Sequence, residues 1–190
     1  MFVLAGSSRP LAFMLSIALF LLCLDVRPVA AVQNPGPRSP PCAAPEFRQM
    51  DFWLGRWDVQ WDATPGNPGG RGTNTVTRAY DGCVIQEAFD GGPVSGNLIG
   101  HSVSTYHAPL RRWRQTWVDN QGGYFALVGG QEGDRFILVS SRPGDNAPVD
   151  RMVFEDIRED AFTWRWQTTP DGGASWTDQW VLHYTRALQD

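Results

Sequence analysis

The nine tryptophans of this 190-residue chain fall in short groups: Trp53, Trp57 and Trp61; Trp113 and Trp117; Trp164 and Trp166; Trp176 and Trp180. Inside each group the spacing is two or four residues. Even spacing puts side chains on one face of a β-strand. Several short stretches therefore each offer one aromatic face. That pattern predicts an antiparallel all-β domain with a wide aromatic interior. Trp53, Trp57 and Trp61 also fit a helix. Gly55, and the alternation of Trp57, Val59 and Trp61 with Asp58, Gln60 and Asp62, favour a strand from Arg56 instead.

Turn signals divide the remainder into strands. The expected strands are 73–79, 83–89, 98–106, 113–119, 124–128, 136–140, 152–157, 162–168 and 176–185. With the first, that makes roughly ten, at the spacing typical of barrels and sandwiches. Hairpin connections without a long crossover favour a single up-and-down barrel, and closure removes exposed edges. A short helical turn is expected at Pro45–Met50. Nearly all twenty glycines fall in turns on this reading, Gly129 and Gly130 among them.

The first residues read as an export signal. Arg9 precedes the apolar run Leu11 to Leu24, and Val29-Ala30-Ala31 follows. The run is shorter than the about 20 residues of a membrane span, which leaves an uncleaved anchor as the lesser reading. Cys23 has Leu22 before it, where a lipidation signal wants a small residue. The expected organisation is a signal peptide over 1–31, cleaved after Ala31, a Pro-rich linker over 32–45 and a β-barrel domain over 46–188. The product would be periplasmic or secreted, with no integral membrane segment after cleavage. The net charge of −4 becomes −5 once Arg9, Asp25 and Arg27 are removed, and no residue is lysine. That balance offers nothing to nucleic acid. Cys42 and Cys83 remain. They either close a disulfide in an oxidising compartment or leave Cys83 as a small buried hydrophobe.

Polar residues share parity with the aromatics. Trp113, Gln115, Trp117 and Asp119 lie on one face, and Ile85, Glu87 and Phe89 on another. A carboxylate facing an aromatic interior is costly unless it is partnered or presented to a ligand. Parity leaves open whether Ser102, Ser104 and Tyr106 or His101, Val103 and Thr105 face inward. The candidate ligand-binding set is Trp57, Trp61, Glu87, Ser102, Tyr106, Gln115, Trp117, Asp119, Trp164 and Trp166. No metal site is expected, because the three histidines and the mature cysteines lack ligand spacing. No G-x-S-x-G or phosphate loop occurs. Thr169 to Trp176 fits an Asp-box hairpin, with Asp171 capping the turn.

Further motifs carry a resemblance. Asp51-Phe52-Trp53-Leu54-Gly55-Arg56-Trp57-Asp58-Val59 resembles the D-F-W-L-G-x-W-D-V opening of a bacterial secreted family of unknown function. Asp81-Gly82-Cys83 with Glu87, Gly100 and Ser102 with Tyr106, Trp113-Arg114-Gln115-Thr116-Trp117-Val118-Asp119, and Asp171 to Trp176 resemble its later motifs. The resemblance implies a calycin-like barrel, similar to lipocalins and haem-binding nitrobindins. Haem would need an axial histidine late in the chain. Thr177 and Asp178 stand near that place, and His183 lies beyond it. No cofactor is therefore expected.

The resulting expectation is an exported barrel that binds a small hydrophobic or amphipathic molecule in an aromatic cavity. Its rivals are an enzyme using Glu87 and Asp119, a filled-core barrel acting through its surface, and a haem-binding barrel. Periodicity says nothing of oligomeric state, or of whether the interior is hollow.

Overall fold

The computed structural model describes residues 41–141 and 148–188. The expected signal peptide, its cleavage point and most of the linker lie outside the described residues. Ten strands follow in chain order: β1 Gly55–Trp61, β2 Gly70–Ala79, β3 Val84–Asp90, β4 Ile99–His107, β5 Arg112–Asp119, β6 Tyr124–Glu132, β7 Arg135–Ser141, β8 Pro148–Glu155, β9 Ala161–Thr168 and β10 Thr177–Arg186. They form a closed antiparallel up-and-down barrel, as the periodicity predicts. β1 and β10 close it, from Trp57 opposite Arg186 to Gln60 opposite His183. Closure leaves every strand with two neighbours, so no full-length edge is exposed. Among the described residues no helix is long and apolar enough to cross a membrane.

The alternation is physical. In β1, Trp57, Val59 and Trp61 are buried while Arg56, Asp58 and Gln60 are exposed. In β3, Ile85, Glu87 and Phe89 are buried on the same principle. β4 turns Ser102 and Ser104 inward and His101 and Val103 outward, which parity alone left open.

Two expectations need correction. Gly129 and Gly130 do not form a turn. β6 runs on to Glu132, and the turn is at Gly133 and Asp134. Several glycines lie in strands rather than turns: Gly55, Gly70, Gly72, Gly100, Gly129 and Gly130. Two of them make room for indoles. Any side chain at Gly70 would strike the ring of Trp61, and any at Gly100 the ring of Trp117. Each indole thus lies flat on bare backbone.

One end of the barrel is plugged. The expected helical turn is a pair of 3-10 turns, Pro45–Arg48 and Asp51–Trp53, which enter that end. Trp53 therefore sits in the plug rather than on a strand. Phe47 packs edge-on to Tyr106, and Phe52 meets Phe136, Phe154 and Phe162. Met50 has no exposed surface. Polar ties hold the plug as well. Arg78 pairs with Asp51 and donates to the Phe47 and Gly82 carbonyls. The Trp113 indole N–H donates to Gln49 Oε1 at 3.0 Å, and that of Trp57 donates to the Trp53 carbonyl at 2.8 Å. Arg186 lies over the Trp57 ring and donates to the Leu54 carbonyl. A disulfide joins Cys42 to Cys83, so it fastens the start of the plug to the residue before β3. The D-F-W-L-G segment is thus the stopper of the barrel, which accounts for its density of large rings.

Candidate functional site

Above the plug the barrel is hollow. Its lower half is solid with Trp57, Trp113, Phe136, Leu138, Phe154 and Phe162. Its upper half holds a cavity of about 160 Å³. Trp53, Met152, Leu182, Tyr184 and Glu87 border it. Trp117, Phe89, Trp180, Trp164, Trp166 and Phe125 wall the sides, and Leu98 and Asp119 stand towards the mouth. Trp164 and Trp166 lie nearly parallel, at 14°, and other walls meet them steeply. Trp180 is at 88° to Trp164 and 89° to Phe89, and Phe125 is at 65° to Trp166. A wider groove of about 800 Å³ runs outside, past Trp61, Asp62, Asn67 and His183, and shares Leu98 and Trp180 with the cavity.

The polar elements are few and buried. Glu87 is 6% exposed. Its Oε1 accepts from Asn74 Nδ2 at 2.7 Å, and its Oε2 accepts from the Ser102 hydroxyl at 2.6 Å. Asn74 Nδ2 also donates to the Tyr184 hydroxyl at 3.1 Å. Cross-strand pairing builds this group. Glu87 faces Ser102 between β3 and β4, and Asn74 lies on neighbouring β2. Burial raises the Glu87 carboxyl to about 7, against the lowering pull of the Ser102 and Asn74 bonds. Burial and the nearby Glu87 also push the Tyr184 phenol up. The Trp53 indole N–H is buried and has no partner among the described residues.

Asp119 behaves differently. It accepts from the Trp117 indole at 2.9 Å and from the backbone N–H groups of Gln121 and Gly123. Desolvation raises its carboxyl, and these three bonds together outweigh it, so the group sits below its ordinary value and stays ionised. The same bond fixes the Trp117 ring on Gly100.

Of the ten residues expected at the site, five border the cavity: Glu87, Trp117, Asp119, Trp164 and Trp166. Ser102 stands behind Glu87 as its donor. The other four do not line it. Trp57 lies lower, packed on Phe162 and Tyr184. Tyr106 packs on Phe47 and Trp113 at the plugged end. Gln115 is one inward step below Trp117 and donates to Ser104 at 2.9 Å. Trp61 borders the outer groove and stands edge-on to Trp180. Glu87 and Asp119 share no hydrogen bond. They lie on strands separated by β4 and offset by two residues, which puts their Cα atoms roughly 12 Å apart by strand geometry.

Sequence reasoning missed Trp53, Phe89, Leu98, Phe125, Met152, Trp180, Leu182 and Tyr184 as lining residues, and Asn74 as a partner. The alternation of Trp180, Leu182 and Tyr184 along β10 is the signal that could have found three of them.

None of the three histidines faces the cavity. His101 and His183 are exposed, and His107 Nδ1 accepts from the Leu110 N–H near the plugged end. A haem would find no imidazole inside. Among the described residues no three His, Cys, Asp or Glu side chains gather as metal ligands. The Asp-box hairpin is well made: Asp171 Oδ2 accepts from the Ser175 hydroxyl at 2.6 Å, and Oδ1 from the Ser175 N–H at 2.8 Å. It caps the β9–β10 turn and does not border the cavity.

No known family model matches the chain, and no curated protein matches it significantly.

Proposed function

We propose that the chain is an exported binding barrel whose cavity receives one small hydrophobic or amphipathic molecule. The observation that carries this reading is the room itself: about 160 Å³ of mainly aromatic-lined space over a buried polar group. Protein interiors are close-packed, and voids of this size are few. An apolar void of roughly 150 Å³ elsewhere stays dry and takes benzene. Ligand sites pair apolar walls with a few fixed polar groups, and Glu87, Tyr184 and the free Trp53 N–H fill that role here. Export draws support from the Cys42–Cys83 bond, since disulfides persist in oxidising compartments.

The test is native mass spectrometry of the chain taken from its own host, compared with its denatured mass. Extra mass lost on denaturation supports a captured ligand. The denatured mass also reports cleavage after Ala31. A bare native mass, together with unchanged tryptophan fluorescence across small aromatics and short amphiphiles, would sink the binding reading.

A further inference from the structure

The lining of the cavity has a sign. Among the described residues its charged side chains are Glu87 and Asp119, both acids, and no arginine or histidine borders it. The chain has no lysine at all. Each Glu87 oxygen accepts one hydrogen bond, from Asn74 or from Ser102. An ionised carboxylate has roughly four lone-pair sites, so about half its accepting capacity is unused. Those donors are neutral. A buried carboxylate without a cation is expensive.

The walls have the complementary property. Indole faces carry negative potential and attract cations more strongly than phenyl faces do. Trp164, Trp166, Trp180 and Trp117 all border the space, and Trp164 and Trp180 meet almost at right angles. Trp164 and Trp166 are nearly parallel, so with Trp180 these indoles border the space in two main orientations. Trp117 also donates its N–H to ionised Asp119, which enriches its π face. Asp119 at the mouth, and Asp62 in the groove beside it, make the approach acidic.

We propose that this cavity selects small organic cations: an alkylammonium or quaternary ammonium group of about benzene size, seated against the indole faces with Glu87 as its counter-charge. The proposal rests on the reading that the cavity binds a ligand, and adds the charge that ligand carries. Aromatic rings alone would accept neutral and cationic guests of one shape. The two acids, without a basic neighbour among the described residues, separate them, and they repel an anion.

Three probes of one shape and different charge test this: choline, its neutral carbon isostere 3,3-dimethylbutan-1-ol, and the anion 3,3-dimethylbutanoate. Binding to the full ligand-free protein is read at pH 8 by titration calorimetry and tryptophan fluorescence. Choline is expected to bind at least about tenfold tighter than the alcohol, with the anion weakest. Glu87→Gln should bring the ratio of choline to alcohol affinity down towards one. The wild-type ratio needs no variant, so misfolding of Glu87→Gln cannot hide the answer. Alcohol binding equal to or tighter than choline overturns the cation selectivity and leaves the binding barrel standing. Failure of all three at millimolar concentration overturns the cation selectivity, and only a bare native mass with it overturns the binding barrel as well. A folded Glu87→Gln protein with the full choline preference would remove Glu87 as the counter-charge.

Discussion

Glu87 ties the cavity to the stability of the fold, and the sign of that link is fixed. In the folded chain its carboxyl titrates at about 7, because burial penalises the charged form; its ordinary value is 4.5. Between those values the folded state holds a proton that the unfolded state has released. The contribution of Glu87 to stability is then greatest below pH 4.5, falls as pH rises through that window, and levels off above it. The displacement corresponds to about 3 kcal/mol. With a urea slope of about 2 kcal/mol per molar, the midpoint would drop by roughly 1.5 M between the two ends of the window. The assay is urea unfolding of ligand-free wild type and Glu87→Gln at pH 5 and pH 8. Glutamine can accept from Asn74 and meet the Ser102 hydroxyl, which rotates to suit. Asp119, Asp150 and Asp171 titrate in both proteins, so their contributions cancel in the difference. Wild type should lose about 2–3 kcal/mol more than the variant between the two pH values. Equal losses would refute the claim that Glu87 is buried without a cationic partner.

Other outcomes follow from single features. Gly100→Ala should displace the Trp117 ring into the cavity, reducing probe binding at least about tenfold while the far-ultraviolet spectrum holds; unchanged affinity would show that the ring does not depend on bare backbone there. Replacing Cys42 and Cys83 with serine opens a link spanning 41 residues and should cost about 3–4 kcal/mol in urea unfolding, against no change if the plug is held by packing alone. Asp171 is held down to about 2 by its bonds to Ser175 and Thr169, so the turn keeps its cap until pH falls through that value. Asp171→Ala should speed amide exchange at Ser175 and leave the global melt in place; protection equal to wild type would show that the cap is idle.

The all-β fold was readable because its signals are local. Even tryptophan spacing reports facing, and Gly/Pro/Asn/Asp clusters report turns, so strands such as Trp113 to Asp119 emerge nearly complete. Depth is not local. Trp57 and Trp117 both face inward, yet one lies in the solid half and the other walls the cavity. Their heights follow from strand direction and register around ten strands, and from a plug whose position no periodicity encodes. Tyr106 failed for that reason: β4 runs towards the plug, so its last inward residue lies under Phe47. The strand glycines were misread because turn chemistry explains a glycine before its neighbours are known. Only the folded chain shows that Gly70 and Gly100 are beds for indoles.

The division of the barrel into a solid half and a hollow half has a consequence for its history. Residues such as Phe154, Leu138 and Met50 are packed on all sides, and substitution there removes contacts that hold the molecule together. Trp117, Phe125, Trp166 and Trp180 are only partly buried, with one side against the wall and the other against the cavity. Changing one of them alters the shape and charge of the chamber at a smaller cost to the fold. Selection can therefore exchange one guest for another at the open end while the stoppered end preserves the scaffold. Descendants of such a chain would diverge first in the residues that meet the guest and last in the stopper.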